Sequence, residues 1–98
     1  RVLGRPMDEA AHLRKKLLFQ CQHRGTKELD LVLGPFASAN LADMKTDELY
    51  ILNDFLSEPD PDIYDWLSGH TPLPERLRNG VTERLVAFGR QKLAGEGA

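Results

Sequence analysis

Apolar residues return at three- and four-residue steps along most of the chain, the spacing that gathers them on one face of a helix. Ala10, Leu13, Leu17, Leu18 and Cys21 form the first such stripe and predict an amphipathic helix over about 7–22, with its charges on the outer face. Leu29, Val32, Leu33 and Phe36 continue the pattern after a polar turn. Pro35 lies inside this second segment, where it removes a backbone donor and crowds the carbonyl of Leu31, so a kink or break is expected. Thr46 opens a third helix whose Leu49, Leu52, Phe55 and Leu56 face inward. Asp60 opens a short fourth that ends near Gly69, with the Asp60 side chain as its cap and Pro61 at a position that needs no N–H. A loop with Pro72 and Pro74 leads to a fifth, in which Leu77, Val81, Leu85 and Phe88 keep helical spacing. The Asn79-Gly80 pair interrupts it, and a glycine in a helix interior costs about 1 kcal/mol against alanine. No alternating run bounded by hairpin turns is present, and no repeat of fixed period. The pattern predicts an all-α fold, a compact five-helix bundle in a single domain with short connections.

Length and composition agree with this and narrow the function by exclusion. A chain of 98 residues has room for one domain and buries roughly 60 to 70 per cent of its unfolded surface, so its core is thin. The bundle is expected over 7–94, with a disordered or non-native end at 1–6 and a flexible end at 95–98. No apolar run approaches the ~20 residues of a membrane span, so no membrane insertion is expected. The formal net charge of -2 gives no global attraction to nucleic acid. Cys21 is the single cysteine and has no partner for an internal disulfide, which favours a reducing compartment. The apolar stripes can be satisfied within one bundle and no heptad pattern is sustained, so a monomer is expected.

The charge is unevenly placed. Arg14, Lys15, Lys16, Arg24 and Lys27 crowd the first third, and Glu58, Asp60, Asp62 and Asp65 gather near the middle. The basic group reads most simply as a solvated face late in a helix, and the acidic group as a helix start without the twelve-residue spacing of a calcium loop. Catalytic patterns are missing. His12, His23 and His70 do not fall at metal-ligand spacing with Cys21, and no glycine-rich phosphate cradle is present. Cys21 and His23 point to different faces of a helix, so Cys21 reads as a buried structural thiol. Tyr64 and Trp66 read as packing residues on a short amphipathic helix. Without a nucleophile-base pair, a stand-alone enzyme is not expected.

The segment His23-Arg24-Gly25-Thr26-Lys27-Glu28-Leu29-Asp30 is the most informative feature that remains. Gly25 suits the left-handed residue that ends a helix, Thr26 can cap the next, and Glu28 lies where the helix dipole favours an acid. A generic helical interaction module with an unknown partner would need no more than that. It has no need of Arg24.

This Arg-Gly-x-x-Glu turn is followed by Leu31-Val32-Leu33-Gly34-Pro35-Phe36, by Thr46-Asp47-Glu48-Leu49 and by Asp60-Pro61-Asp62-Ile63-Tyr64-Asp65-Trp66-Leu67. In that order the segments resemble the small FAD assembly factors of succinate dehydrogenase, known in bacteria and mitochondria, over about 13–93. His23 stands where many members carry a second arginine, a departure that bears only on how much positive charge the turn presents at neutral pH. The resemblance implies a chaperone-like factor that binds the flavoprotein subunit of succinate dehydrogenase, with the fumarate reductase flavoprotein as an alternative, and promotes covalent attachment of FAD. It implies no tightly bound cofactor, since the FAD is held by the partner. It implies bacterial cytoplasm, or mitochondrial matrix in a eukaryote. Arg24, Gly25 and Glu28 are the implied contact residues, with His23 and Asp30 beside them. Glu28 would reach toward the flavin site, Arg24 would pair with an acceptor of the partner, and Gly25 would allow close backbone approach. Asp30 would orient Arg24 or Lys27.

Overall fold

The computed structural model describes residues 6–24 and 26–97, with side chains described over 9–24 and 26–93. The expectations for residues 1–5, for Gly25 and for Ala98 lie outside the described residues. Five helices follow one another: α1 (Pro6–Gln22), α2 (Lys27–Asn40), α3 (Thr46–Phe55), α4 (Asp60–Ser68) and α5 (Gly80–Gly97). Short 3-10 turns at Leu41–Asp43 and Glu75–Leu77 join α2 to α3 and α4 to α5. Among the described residues there is no strand.

The predicted stripes build the core. Leu17 and Cys21 of α1, Leu29, Val32 and Leu33 of α2, Leu49 and Leu52 of α3, Ile63 and Leu67 of α4 and Leu85 of α5 are almost fully removed from water. α1 packs on α2 and α3, α5 packs on α4, α2 and α3, and α2 also touches α4. Phe36 meets Phe88 edge-on at 5.5 Å between ring centroids, and Phe55 lies beside the buried Trp66 at 5.8 Å. The α4–α5 crossing depends on Gly89. A Cβ there would stand 3.0 Å from Leu67 Cβ and 3.2 Å from the Leu67 carbonyl oxygen, too close for unshifted backbones.

Three local expectations change. α2 runs unbroken through Pro35. The carbonyl of Leu31 loses its helical donor, but Leu31 is 40% exposed and water is within reach of that side of the helix. At the other end of α2 the Asn40 amide donates to the Phe36 carbonyl at 2.9 Å as the helix tightens into the 3-10 turn. Gly80 is not a helix interior: it is the first residue of α5. Asn79 caps that helix, its Oδ1 accepting from the N–H groups of Val81 and Thr82 at 2.9 Å each. The buried Thr82 answers by accepting from the Asn79 N–H at 3.1 Å. Finally, Asp60 does not cap α4. Pro59 holds the cap position with no side-chain bond, and Asp60 is already the first helical residue. Its carboxylate is used elsewhere.

Candidate functional site

The Arg24 side chain ties the end of α1 to the ends of α3 and α4. Arg24 follows the end of α1, and its backbone N–H donates to Asp30 Oδ1 at 3.1 Å, which ties the turn to the first turn of α2. Its guanidinium reaches much further along the chain. Nη1 donates to the carbonyl of Leu56 at 2.9 Å, and Nη2 donates to Asp60 Oδ1 in a close ion pair. Leu56 follows the last residue of α3, where carbonyls have no helical donors ahead of them; those of Asp54 and Phe55 take the N–H groups of Ser57 and Glu58, and that of Leu56 takes Arg24. The cation thus lies at the negative end of α3 and the carboxylate at the positive end of α4, both favoured by the helix dipoles. Only 13% of the Arg24 side chain is exposed. Asp30 therefore orients Arg24 through its backbone, while the Arg24 side chain is engaged within its own chain.

Glu28 is placed differently. It stands in the exposed first turn of α2 and takes part in no ion pair among the described residues. Together with Thr26, Asp60, Pro61 and Tyr64 it lines an open depression of about 380 Å³. Thr26 occupies the cap position of α2 without a side-chain cap bond, so its hydroxyl is not consumed by the helix. A neighbouring depression of about 300 Å³ is bordered by Phe19, Gln20, His23, Arg24 and Asp60. Asp60 borders both depressions, and Arg24 borders the second. There the exposed ring of His23 stacks on Phe19 at 4.3 Å between centroids, and its Nδ1 lies 2.9 Å from the Phe19 carbonyl oxygen. Phe19 is 63% exposed, an unusual position for a large apolar side chain.

The surrounding charges sort into fixed and free. Arg14, read from sequence as part of a solvated face, donates from Nε to the Leu41 carbonyl at 2.9 Å and from Nη2 to the Met44 carbonyl at 2.7 Å. Lys15, Lys16 and Lys27 do face solvent. Glu58 takes a two-pronged contact from Arg76 at 3.0 and 3.2 Å, which holds its carboxyl below the usual range. Cys21 is buried as expected, and desolvation pushes its thiol up to about 12 against a smaller opposing pull from Arg24, so it is no thiolate at neutral pH. Trp66 packs in the core, whereas Tyr64 is half-buried and borders the first depression. No group of three or more His, Cys, Asp or Glu side chains is placed to hold a metal among the described residues. Asp60, Tyr64 and Phe19 are thus neighbours of the turn that periodicity did not single out. Asp60 carried one signal, its place in the Asp-Pro-Asp segment, and local rules read that as a cap.

The family described as "Flavinator of succinate dehydrogenase" matches residues 15–89, a span that contains Arg24, its three acceptors and Glu28. The chain is 39% identical over 88 residues to the FAD assembly factor SdhE of Acetobacter pasteurianus, covering 90% of this chain and 81% of that one. It is 38% identical over 79 residues to the mitochondrial succinate dehydrogenase assembly factor 2 of Dictyostelium discoideum, covering 81% of this chain and 56% of that one. The mitochondrial protein of the same name in Yarrowia lipolytica is 36% identical over 89 residues, with 87% and 61% covered. The chain therefore spans little more than half the length of these two mitochondrial relatives. No solved structure matches it. With three quarters of its length inside the family model and more than a third of aligned residues shared with the bacterial relative, the chain belongs to the succinate dehydrogenase flavinator family.

Proposed function

We propose that this chain is an assembly factor that docks on the flavoprotein subunit of succinate dehydrogenase and promotes covalent attachment of FAD to it, with Glu28 as the contact that reaches the partner. The observation that carries the assignment to Glu28 is the contrast within the turn: Arg24 is engaged internally, and Glu28 is exposed beside an open depression. Family membership carries the rest. The chain acts by order and not by chemistry of its own. A small binder that holds a mobile domain of the flavoprotein where the accepting side chain and the flavin meet raises the rate by orientation. The FAD belongs to the flavoprotein and is the substrate of the event, and this chain holds no cofactor and works as a monomer. The fumarate reductase flavoprotein is the alternative partner. The place of action is the bacterial cytoplasm, or the mitochondrial matrix in a eukaryote, in keeping with relatives of both kinds.

The test is to supply the apo-flavoprotein with FAD, with and without this chain, and to measure flavin that stays on the polypeptide after denaturation. Wild type raises covalent flavin, and Glu28→Ala keeps its helicity and gives less. If folded Glu28→Ala supports the wild-type amount, the turn is a structural turn and the generic interaction module becomes the better reading.

A further inference from the structure

We infer that Asp60 is a positioning residue for flavoprotein docking: through Arg24 it holds the end of α1 and the start of α2 against the ends of α3 and α4, and so fixes where Glu28 stands. The inference rests on the docking role of Glu28 proposed above.

Among the described residues Thr26 contributes no capping side-chain bond to α2, and the local contact of Arg24 is the one from its N–H to Asp30. The long-range restraint comes from the guanidinium, whose acceptors lie 32 and 36 residues further along the chain. Both acceptors sit at helix ends, where a carbonyl and a first-turn carboxylate are the groups best suited to receive a cation. A planar guanidinium that spans a carbonyl and a carboxylate is held in orientation as well as in place, which a lysine ammonium would not reproduce. Little of Arg24 is left for a partner, because an incoming carboxylate would have to displace Asp60. Asp60 also borders both depressions. Its loss would remove the long-range anchor of Arg24, whose backbone N–H is bonded to Asp30 in the first turn of α2. The arginine of the motif and Asp60 thus form one unit that acts on docking through Glu28.

A unit of this kind has a signature that general destabilisation lacks. Measure the concentration of this chain that gives half the maximal rate of covalent flavin attachment, correcting for the folded fraction from far-UV circular dichroism. Arg24→Ala and Asp60→Ala each raise that concentration roughly tenfold, the loss expected when one member of a charge-assisted contact is removed. The double variant is no worse than the poorer single one. In a Glu28→Ala background, Asp60→Ala has little further effect, because there is no longer a contact to position. Asp60→Glu, which keeps the charge, recovers most of the wild-type behaviour and supplies the comparison should Asp60→Ala fold poorly. Additive losses from Asp60 and Glu28, or wild-type docking by folded Asp60→Ala, overturn the inference. Failure of the wild-type chain to raise covalent flavin at all would instead overturn the proposed function, and the wild-type arm reads that outcome separately.

Discussion

Two arginines near the same helix show how little residue type says about role. Arg14 binds two backbone carbonyls, those of Leu41 and Met44, and both belong to the connection between α2 and α3. Arg24 binds one carbonyl and one carboxylate, from the end of α3 and the start of α4. The first closes a loop. Its surroundings are the side chains of Leu18, Ala37, Leu41 and Ala42 in a shallow apolar depression with Lys15 at its edge. The second joins three segments and pairs with Asp60, which borders the same depression as the exposed Glu28. A fixed arginine thus closes a connection where only carbonyls answer it, and shapes a surface where its partner is a carboxylate that borders an open depression.

The sharpest way to break this comparison is to remove each arginine in turn. Arg14→Ala and Arg24→Ala each leave part-buried acceptors without a donor and should cost about 1 to 3 kcal/mol in chemical denaturation. They should part company in function: per folded molecule, Arg14→Ala supports wild-type flavin attachment and Arg24→Ala does not. Equal function for the two would place both arginines in the scaffold. Gly89→Ala supplies a control of similar size away from either arginine. Its Cβ would press on Leu67, so a net loss of roughly 1 to 2 kcal/mol is expected even after the gain in helix propensity, with flavin attachment per folded molecule unchanged.

Smaller effects separate cap from contact. Asn79→Ala should lose about 0.5 to 2 kcal/mol through the cap of α5, measured as a shift of the urea midpoint, with docking intact. Glu28→Ala should fall within about 0.5 kcal/mol of wild-type stability, as an exposed substitution does, and still reduce covalent flavin. The smallest effect at neutral pH belongs to Cys21. Burial raises its thiol from an ordinary 9.0 to about 12 in the folded chain. The unfolded chain therefore releases this proton first, and the contribution is present below pH 9 and lost as pH rises toward 12. Stability measured from pH 8 to pH 10.5 should fall more steeply for wild type than for Cys21→Ala. Parallel slopes would show that Cys21 is not the group responsible.

What was legible before the structure was what repeats locally. The inward faces of α1, α2 and α3 follow from spacing alone, since a helix turns every 3.6 residues whatever it packs against. Leu18 is the partial exception, half-buried at the edge of its stripe. α4 ends where it was expected to, at Gly69, whose φ of 87° is left-handed. Local rules went astray where two uses competed for one residue. Asp60 before Pro61 satisfies the description of a cap, yet it is already helical and its carboxylate pairs with the Arg24 guanidinium. Asn79 and Gly80 look like an interruption because they are turn residues, and they are a cap and a first helical position because α5 begins there.

The sequence by itself determined five helices, their buried faces, the polar turn between α1 and α2, and the family to which that turn belongs. These depend on intervals of three to eight residues, or on motifs read as strings. Only the tertiary structure decided that Arg24 bonds to the Leu56 carbonyl, that Asp60 is its counter-charge, and that Glu28, Thr26 and Tyr64 share one open depression. The reason is distance along the chain. An ion pair between residues 24 and 60 leaves no periodic trace, because it exists only after two helix ends have been brought together by the packing of side chains elsewhere in the core.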